Sequence, residues 1–239
     1  ETVGEEKDKI PVEISTRFLE HFSEQLYSSP QKAFEELISN GWDAGATYVD
    51  IRIASDLNSP EATMCVLDNG TSMDAKGLKE LWHIAFSPKR DNPIQNGRHV
   101  VGKFGIGKLA TYVLGSKLTY LCKASDGVIR RVTMDYGQVD LKTDAEKLIS
   151  ELELKLFEVT QDEVDSVLAN VHDGDEIKKI IASGLGDGDA GELAPEFTQP
   201  LSTEKQPERD TWTLVILSGL KPTGRALKVG VLKRMLAAA

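Results

Sequence analysis

Residues 47–53, TYVDIRI, alternate Val49, Ile51 and Ile53 against Tyr48, Asp50 and Arg52. A period of two marks a strand with one buried face. Four further runs have strand character: TMCVLD (63–68), SKLTYLCKA (116–124), GVIRRVTMDY (127–136) and TWTLVIL (211–217). The middle two meet at Asp126-Gly127, a dipeptide suited to a hairpin turn. TWTLVIL is expected to close the domain.

Between the strands lie helical patterns. Ser29-Pro30 predicts a helix start, because serine can cap free amides and proline's fixed torsion suits the first helical position. The helix runs through PQKAFEELISNGWDAGA to Gly45, with Ala33, Leu37, Ile38 and Ala44 available to pack. Leu78, Leu81, Trp82 and Ala85 predict a second helix, residues 87–101 read as a polar loop, and a short apolar helix ends at Gly115.

Composition narrows the class. The 239 residues are 40% hydrophobic and 28% charged, enough apolar content for a folded core, and the formal charge of -10 argues against gripping nucleic acid over the whole surface. The acidity is local: residues 140–210 carry 19 acidic and 7 basic side chains. This stretch contains a capping box, Thr160 with Glu163, ahead of Val164, Val167, Leu168 and Val171. It also contains GLGDGDAGE, whose acidic spacing departs from a calcium loop and reads as a connector. The acidic insert, about 140–205, reads either as a partner-binding element or as a solvated spacer.

No window approaches the ~18 apolar residues of a membrane span, and the amino terminus lacks signal-peptide order, so a cytoplasmic protein without a membrane partner is expected. Cys65 and Cys122 sit in apolar runs and read as buried thiols; His21, His83, His99 and His172 are too scattered for zinc. The chain starts at Glu1 and stops at Leu236-Ala237-Ala238-Ala239 as a helical pattern begins. It reads as a single domain, 1–239, excised from a longer protein, with 237–239 vector-derived.

Two groups of residues carry chemistry. Glu36, Asn40 and Asp43 fall at i, i+4 and i+7, on one helical face. A carboxylate and an amide oxygen on one stripe can act as a base and a hard-cation ligand. The stretch GKFGIGKLA is the other group. It fits a phosphate loop through Lys108, but Leu109 cannot ligate magnesium, and Gly105 to Ala110 fits a dinucleotide turn without the preceding strand. What stands is physical: close glycines let backbone amides approach a ligand, and the following helix offers its positive end to phosphate.

With these residues in view, ELISNGWDA (36–44) resembles the first box of the GHKL ATPases, the superfamily of DNA gyrase B, the ninety-kilodalton heat-shock chaperone, histidine kinases and MutL. Asp68-Asn69-Gly70-Thr71-Ser72-Met73 resembles the second box, D-x-G-x-G-M, with Ser72 at the second glycine. Gly102 to Gly107 resembles the third box and Thr211 the threonine of the fourth. The local likeness is strongest to MORC-like ATPases, then to MutL and the chaperone. Histidine kinases fit less well, since their first box carries asparagine where this chain has Glu36.

The resemblance implies a fold and a set of roles. The fold is an α/β, two-layer Bergerat sandwich: a mixed β-sheet with helices on one face and a mobile ATP lid at about 87–107. Asp68 would accept a hydrogen bond from the adenine amino group, with Gly70, Met73 and Thr211 shaping the base pocket. Asn40 would ligate Mg2+ and Glu36 would deprotonate the attacking water, supported by Asp43. Gly102, Phe104, Gly105, Ile106 and Gly107 would offer amides to the phosphates, with Lys103 and Lys108 adding charge; Lys89 and Arg90 read equally as solvated surface. The implied activity is Mg-dependent ATP hydrolysis that drives lid closure and dimerisation of a larger protein, the cofactors being ATP and Mg2+. A conformational switch that binds ATP with little turnover is the alternative. In gyrase-like and MutL-like members a lysine from the following domain reaches the terminal phosphate, so residues 1–239 alone are expected to be monomeric and slow. Any nucleic-acid contact would fall to domains outside this chain.

Overall fold

A computed structural model describes residues 29–82, 94–95, 98–99, 107–136, 153–185, 199–200 and 210–236. The elements, in chain order, begin with α1 (Pro30–Asp43), β1 (Tyr48–Ile53), β2 (Met64–Asp68), α2 (Ala75–Leu81), β3 (Ile94–Gln95) and β4 (Arg98–His99). They continue with α3 (Gly107–Leu114), β5 (Gly115–Lys123), β6 (Ile129–Asp135), β7 (Leu156–Val159), α4 (Gln161–Leu168) and α5 (Gly174–Ala182). The last are β8 (Gln199–Pro200), β9 (Trp212–Leu220), α6 (Pro222–Arg225) and α7 (Val229–Leu236).

Seven strands form one sheet in the order β7-β6-β5-β9-β2-β1-β8. The α/β sandwich implied by the resemblance is the architecture observed. The sheet itself differs from the mixed one expected, since every pairing among the described residues is antiparallel. β9 is the last strand among the described residues, as expected. It runs between β5 and β2 at the centre of the sheet, and α6 and α7 follow it.

Alternation along the strands divides the core in two. Val49, Ile51, Met64, Val66, Leu118, Tyr120, Val215 and Leu217 face α1, α2, α3 and α7, meeting Phe34, Leu37, Leu78, Leu114 and Leu232. Cys65, Leu67, Leu121, Leu214 and Ile216 face the other way, against Val164 and Leu168 of α4 and Ile177 and Ile180 of α5. Helices therefore cover both faces, where one was expected. The described part of the acidic stretch, 153–185, is the cause: its capping box forms, with Thr160 accepting from the Glu163 amide and Glu163 accepting from that of Thr160, and the amphipathic helices that follow lay their apolar stripes on the sheet. A solvated spacer would bury none of these side chains.

Two local expectations are corrected. Ser29 is at the N-cap of α1 but its hydroxyl donates to Gln31 Oε1 at 2.7 Å and caps no backbone amide, so Pro30 alone supplies the expected start signal. Within the polar loop of 87–101, Ile94–Gln95 pairs with Arg98–His99. The Asn96-Gly97 dipeptide between them was the available hairpin signal. The hairpin at Asp126-Gly127 forms as expected, with Gly127 at φ 74° and its amide donating to the Ala124 carbonyl.

Candidate functional site

α1 ends where the sheet's polar corner begins. Its last turns carry Gly41, and a methyl group there would lie 3.2 Å from Asp68 Cβ and 3.4 Å from Val49 Cγ2. Glycine in a helix interior costs about 1 kcal/mol relative to alanine. Here it lets the helix that presents Glu36 and Asn40 pass directly over the carboxylate at the end of β2. Glu36 and Asn40 are partly buried and Asp43 is buried, so the face they share is not a solvated one. After Asp43 the chain turns through Ala44 and Gly45, the latter at φ 72°.

Asp68 is the buried charge at the centre of this corner, 6% exposed. Its Oδ1 accepts from the Gly70 amide at 2.9 Å. No other hydrogen bond to this carboxylate exists among the described residues. Burial pushes its pKa up to about 7 against the opposing pull of the Gly70 N–H. A carboxylate held in this state has an unsatisfied acceptor and a strong gain to make from any donor placed before it.

The turn after Asp68 is fixed from three sides. Gly70 is wedged so tightly that a methyl group would stand 2.6 Å from Ala44 Cβ and 2.8 Å from Asp68 Oδ1. Its carbonyl accepts from Thr211 Oγ1 at 2.7 Å, and the Thr71 amide donates to the Ala44 carbonyl at 2.9 Å. Ser72, where the second-box pattern has glycine, adopts φ 58°, a left-handed conformation that costs a residue with a Cβ roughly 1–2 kcal/mol. Its hydroxyl donates to the Trp212 carbonyl at 2.8 Å and accepts from Thr213 Oγ1 at 3.0 Å. The serine thus keeps the glycine-like backbone and ties it to β9. Met73 follows, partly buried and packed on Gly77 of α2.

Thr213, which the sequence reading did not name, borders the same corner. It pairs with Asp68 across β2–β9 and with Cys122 across β9–β5, so the three form one row on the α1 side of the sheet. Thr211 lies outside the strand ladder and serves the Gly70 turn. Beside that row Tyr120 and Trp82 meet edge-on, with ring centroids 6.4 Å apart, and their hydroxyl and indole N–H are buried without a hydrogen-bond partner among the described residues. Both cysteines are buried and free as expected, and burial pushes each thiol up to about 12, which makes them unreactive.

The third-box residues are reached only in part. Gly107 and Lys108 begin α3, which packs directly on α1, so the start of that helix and the Glu36 stripe belong to the same layer. Gly102, Lys103, Phe104, Gly105 and Ile106, with Lys89 and Arg90, lie outside the described residues. Among the described residues no cluster of His, Cys, Asp and Glu forms a metal cage, and no helix is long and apolar enough to cross a membrane.

The chain is similar to known proteins over much of its length. The family model described as histidine kinase-, DNA gyrase B- and HSP90-like ATPase matches residues 27–172. A protein assigned as the type II restriction enzyme HgiDII of Herpetosiphon aurantiacus is 32% identical over 130 residues, covering 53% of this chain and 20% of that protein. The chaperone protein HtpG of Halalkalibacterium halodurans is 29% identical over 172 residues, 62% of this chain and 27% of the chaperone. HtpG of Bacillus velezensis is 27% identical over 181 residues, 65% and 29% respectively. The chain thus spans less than a third of the length of these relatives. Matched over more than half its length, on the segment that builds the α1–Asp68 corner, the chain belongs to the histidine kinase-, DNA gyrase B- and HSP90-like ATPase family.

Proposed function

We propose that this corner binds the adenine base of ATP at Asp68 and hydrolyses the terminal phosphate from the α1 side. An ATPase domain of this family binds and hydrolyses ATP in general; the roles of individual residues are our reading. The observation that carries it is the buried Asp68 carboxylate with one oxygen on the Gly70 amide and no second partner among the described residues, directly beneath the helix that bears Glu36 and Asn40. The adenine amino group is the donor that carboxylate lacks. Guanine presents a carbonyl there and would leave both groups unpaired. Thr213, in the same row, joins Gly70 and Met73 at the base pocket, while Thr211 supports it through the Gly70 carbonyl.

Asn40 offers a neutral, hard oxygen one turn from Glu36 and would hold Mg2+. When bound, the ion would neutralise charge on the phosphates. Glu36 orients and deprotonates the attacking water, and Asp43 holds the end of the helix. Gly102 to Gly107 supply amides to the phosphates with Lys103 and Lys108, and 87–107 closes as a lid. In the cytoplasm, lid closure drives dimerisation of the longer protein, and the isolated chain is a slow, monomeric ATPase. Nucleic acid, if contacted, is met by other domains. The related HtpG chaperones and HgiDII restriction enzyme share similarity over this domain.

The test is phosphate release and autophosphorylation measured side by side with labelled ATP and magnesium. Release of free phosphate, abolished by Asp68→Asn, supports hydrolysis. ATP binding without release favours the switch, and label retained on the protein would overturn both.

A further inference from the structure

Asn69 lies inside the nucleotide motif, between Asp68 and Gly70, yet its side chain faces away from the proposed base pocket and uses its full hydrogen-bonding capacity. Its Oδ1 accepts from the amides of Thr47 at 2.8 Å and Tyr48 at 2.9 Å. Its Nδ2 donates to Thr47 Oγ1 at 2.9 Å and to the carbonyl of Leu185 at 2.8 Å. The first three bonds shape the local turn. The fourth reaches the end of the α4–α5 helix pair, which covers the opposite face of the sheet.

That carbonyl is held in place at some cost. Gly184 and Leu185 follow α5 with φ 86° and 42°, and the buried Leu185 side chain packs in the second core with Cys65 and Leu67. The helix pair has a second attachment at the far end of β2, where the His172 amide donates to Thr63 Oγ1 at 2.9 Å. A third lies at β1, where Arg52 joins the buried Asp50 at 2.8 Å and Asp173 at 3.5 Å. α4–α5 is thereby tethered immediately before β2, at Thr63, and immediately after it, at Asn69.

We propose that Asn69 is a positioning residue for nucleotide binding, coupling the Asp68–Gly70 turn to the α4–α5 pair so that an occupied base pocket and an ordered back-face helix pair stabilise each other. Asp68 and Gly70 can meet the base only if the turn holds its shape, and one of the four bonds that hold it comes from Leu185. Coupling of this kind is reciprocal: whatever nucleotide does to the helix pair, a change in the helix pair does to nucleotide affinity. The inference rests on the nucleotide reading of the site.

Hydrogen exchange on the unmodified protein, with and without saturating ADP and magnesium, gives the direct test. Calorimetry on the same sample establishes that ADP binds. The expected result is several-fold slower exchange across Gly174–Ala182, on the face away from the base pocket. Asn69→Ala should lose that protection and bind ADP about 5-fold or more weakly, the lower end of ordinary coupling. Gly184→Ala is the second variant: it strains only the turn after α5, leaves the pocket's own residues in place, and should weaken ADP in the same direction. A merely structural asparagine would change melting temperature without linking ADP to α5 exchange. ADP binding with unchanged exchange in α5, or Gly184→Ala binding ADP as tightly as the parent, overturns the coupling alone. Failure of the unmodified protein to bind ADP overturns the nucleotide reading itself, and the coupling with it.

Discussion

Thr213 stands opposite Asp68 in the β2–β9 ladder, and its hydroxyl reaches Ser72 Oγ at 3.0 Å on the far side of the same turn. Thr213 of β9 and the second-box loop are therefore one hydrogen-bonded unit. Thr213→Val should weaken ADP binding by about 2–10-fold, the value of one neutral hydrogen bond. Thr211→Val should act chiefly on stability, by freeing the Gly70 carbonyl. Calorimetry and thermal melts on both variants separate the two threonines; equal losses of affinity would return Thr211 to the pocket.

Asp68→Asn should abolish adenine-nucleotide binding with the fold intact, because the amide can turn a donor toward another donor. It should also stabilise the nucleotide-free protein at alkaline pH. Burial raises the folded-state pKa from 3.8 to about 7, so the native state holds its proton longer than the unfolded chain and stability falls as pH rises through that window. Removing the charge removes the loss, by at most about 4 kcal/mol at pH 8. Melts of both proteins should coincide near pH 4, diverge progressively between pH 4 and about 7, and differ by a constant amount above it. A variant no more stable than the parent at pH 8 would show that Asp68 carries no such penalty.

ADP binding should itself report this proton. The base requires the ionised carboxylate, so affinity should fall by up to about tenfold per pH unit below about 7, and binding at pH 6 should release close to one proton. Titrations in two buffers of different ionisation enthalpy measure that release. A pH-independent affinity between 5.5 and 8 would remove Asp68 from the base-recognition role.

Glu36→Ala should retain ATP and lose hydrolysis by about 10²–10⁴-fold, the usual contribution of a general base. Single-turnover phosphate release is the measurement. Parental rates would make Glu36 a structural residue and favour the ATP-binding switch.

Much of this site was legible in the sequence because its parts are local. Glu36, Asn40 and Asp43 share a face by helical arithmetic, and Asp68 closes a strand whose pattern is plain. The choice between Thr211 and Thr213 was not legible. The two are separated by one period of a strand pattern, and only the register with β2 places Thr213 in the row of Asp68. The destination of α4 and α5 was half legible. Val164, Leu168, Ile177 and Ile180 announce apolar stripes, but a stripe does not say which face of which sheet it will meet. The continuous apolar runs of β2 and β9, MCVLD and TLVIL, were the overlooked sign that those strands are buried on both sides.

Burial on both sides also decides how the molecule comes apart. The underside formed by Cys65, Leu67, Leu121, Leu214 and Ile216 is dry only while α4 and α5 rest on it. Each large aliphatic side chain exposed by their departure costs about 1.5–3 kcal/mol, and a few of them match the roughly 5–15 kcal/mol by which a whole domain is stable. On this arithmetic α4 and α5 should melt with the sheet and not before it, so that residues 153–185, expendable by composition, share one cooperative unfolding event with the strands that carry Asp68.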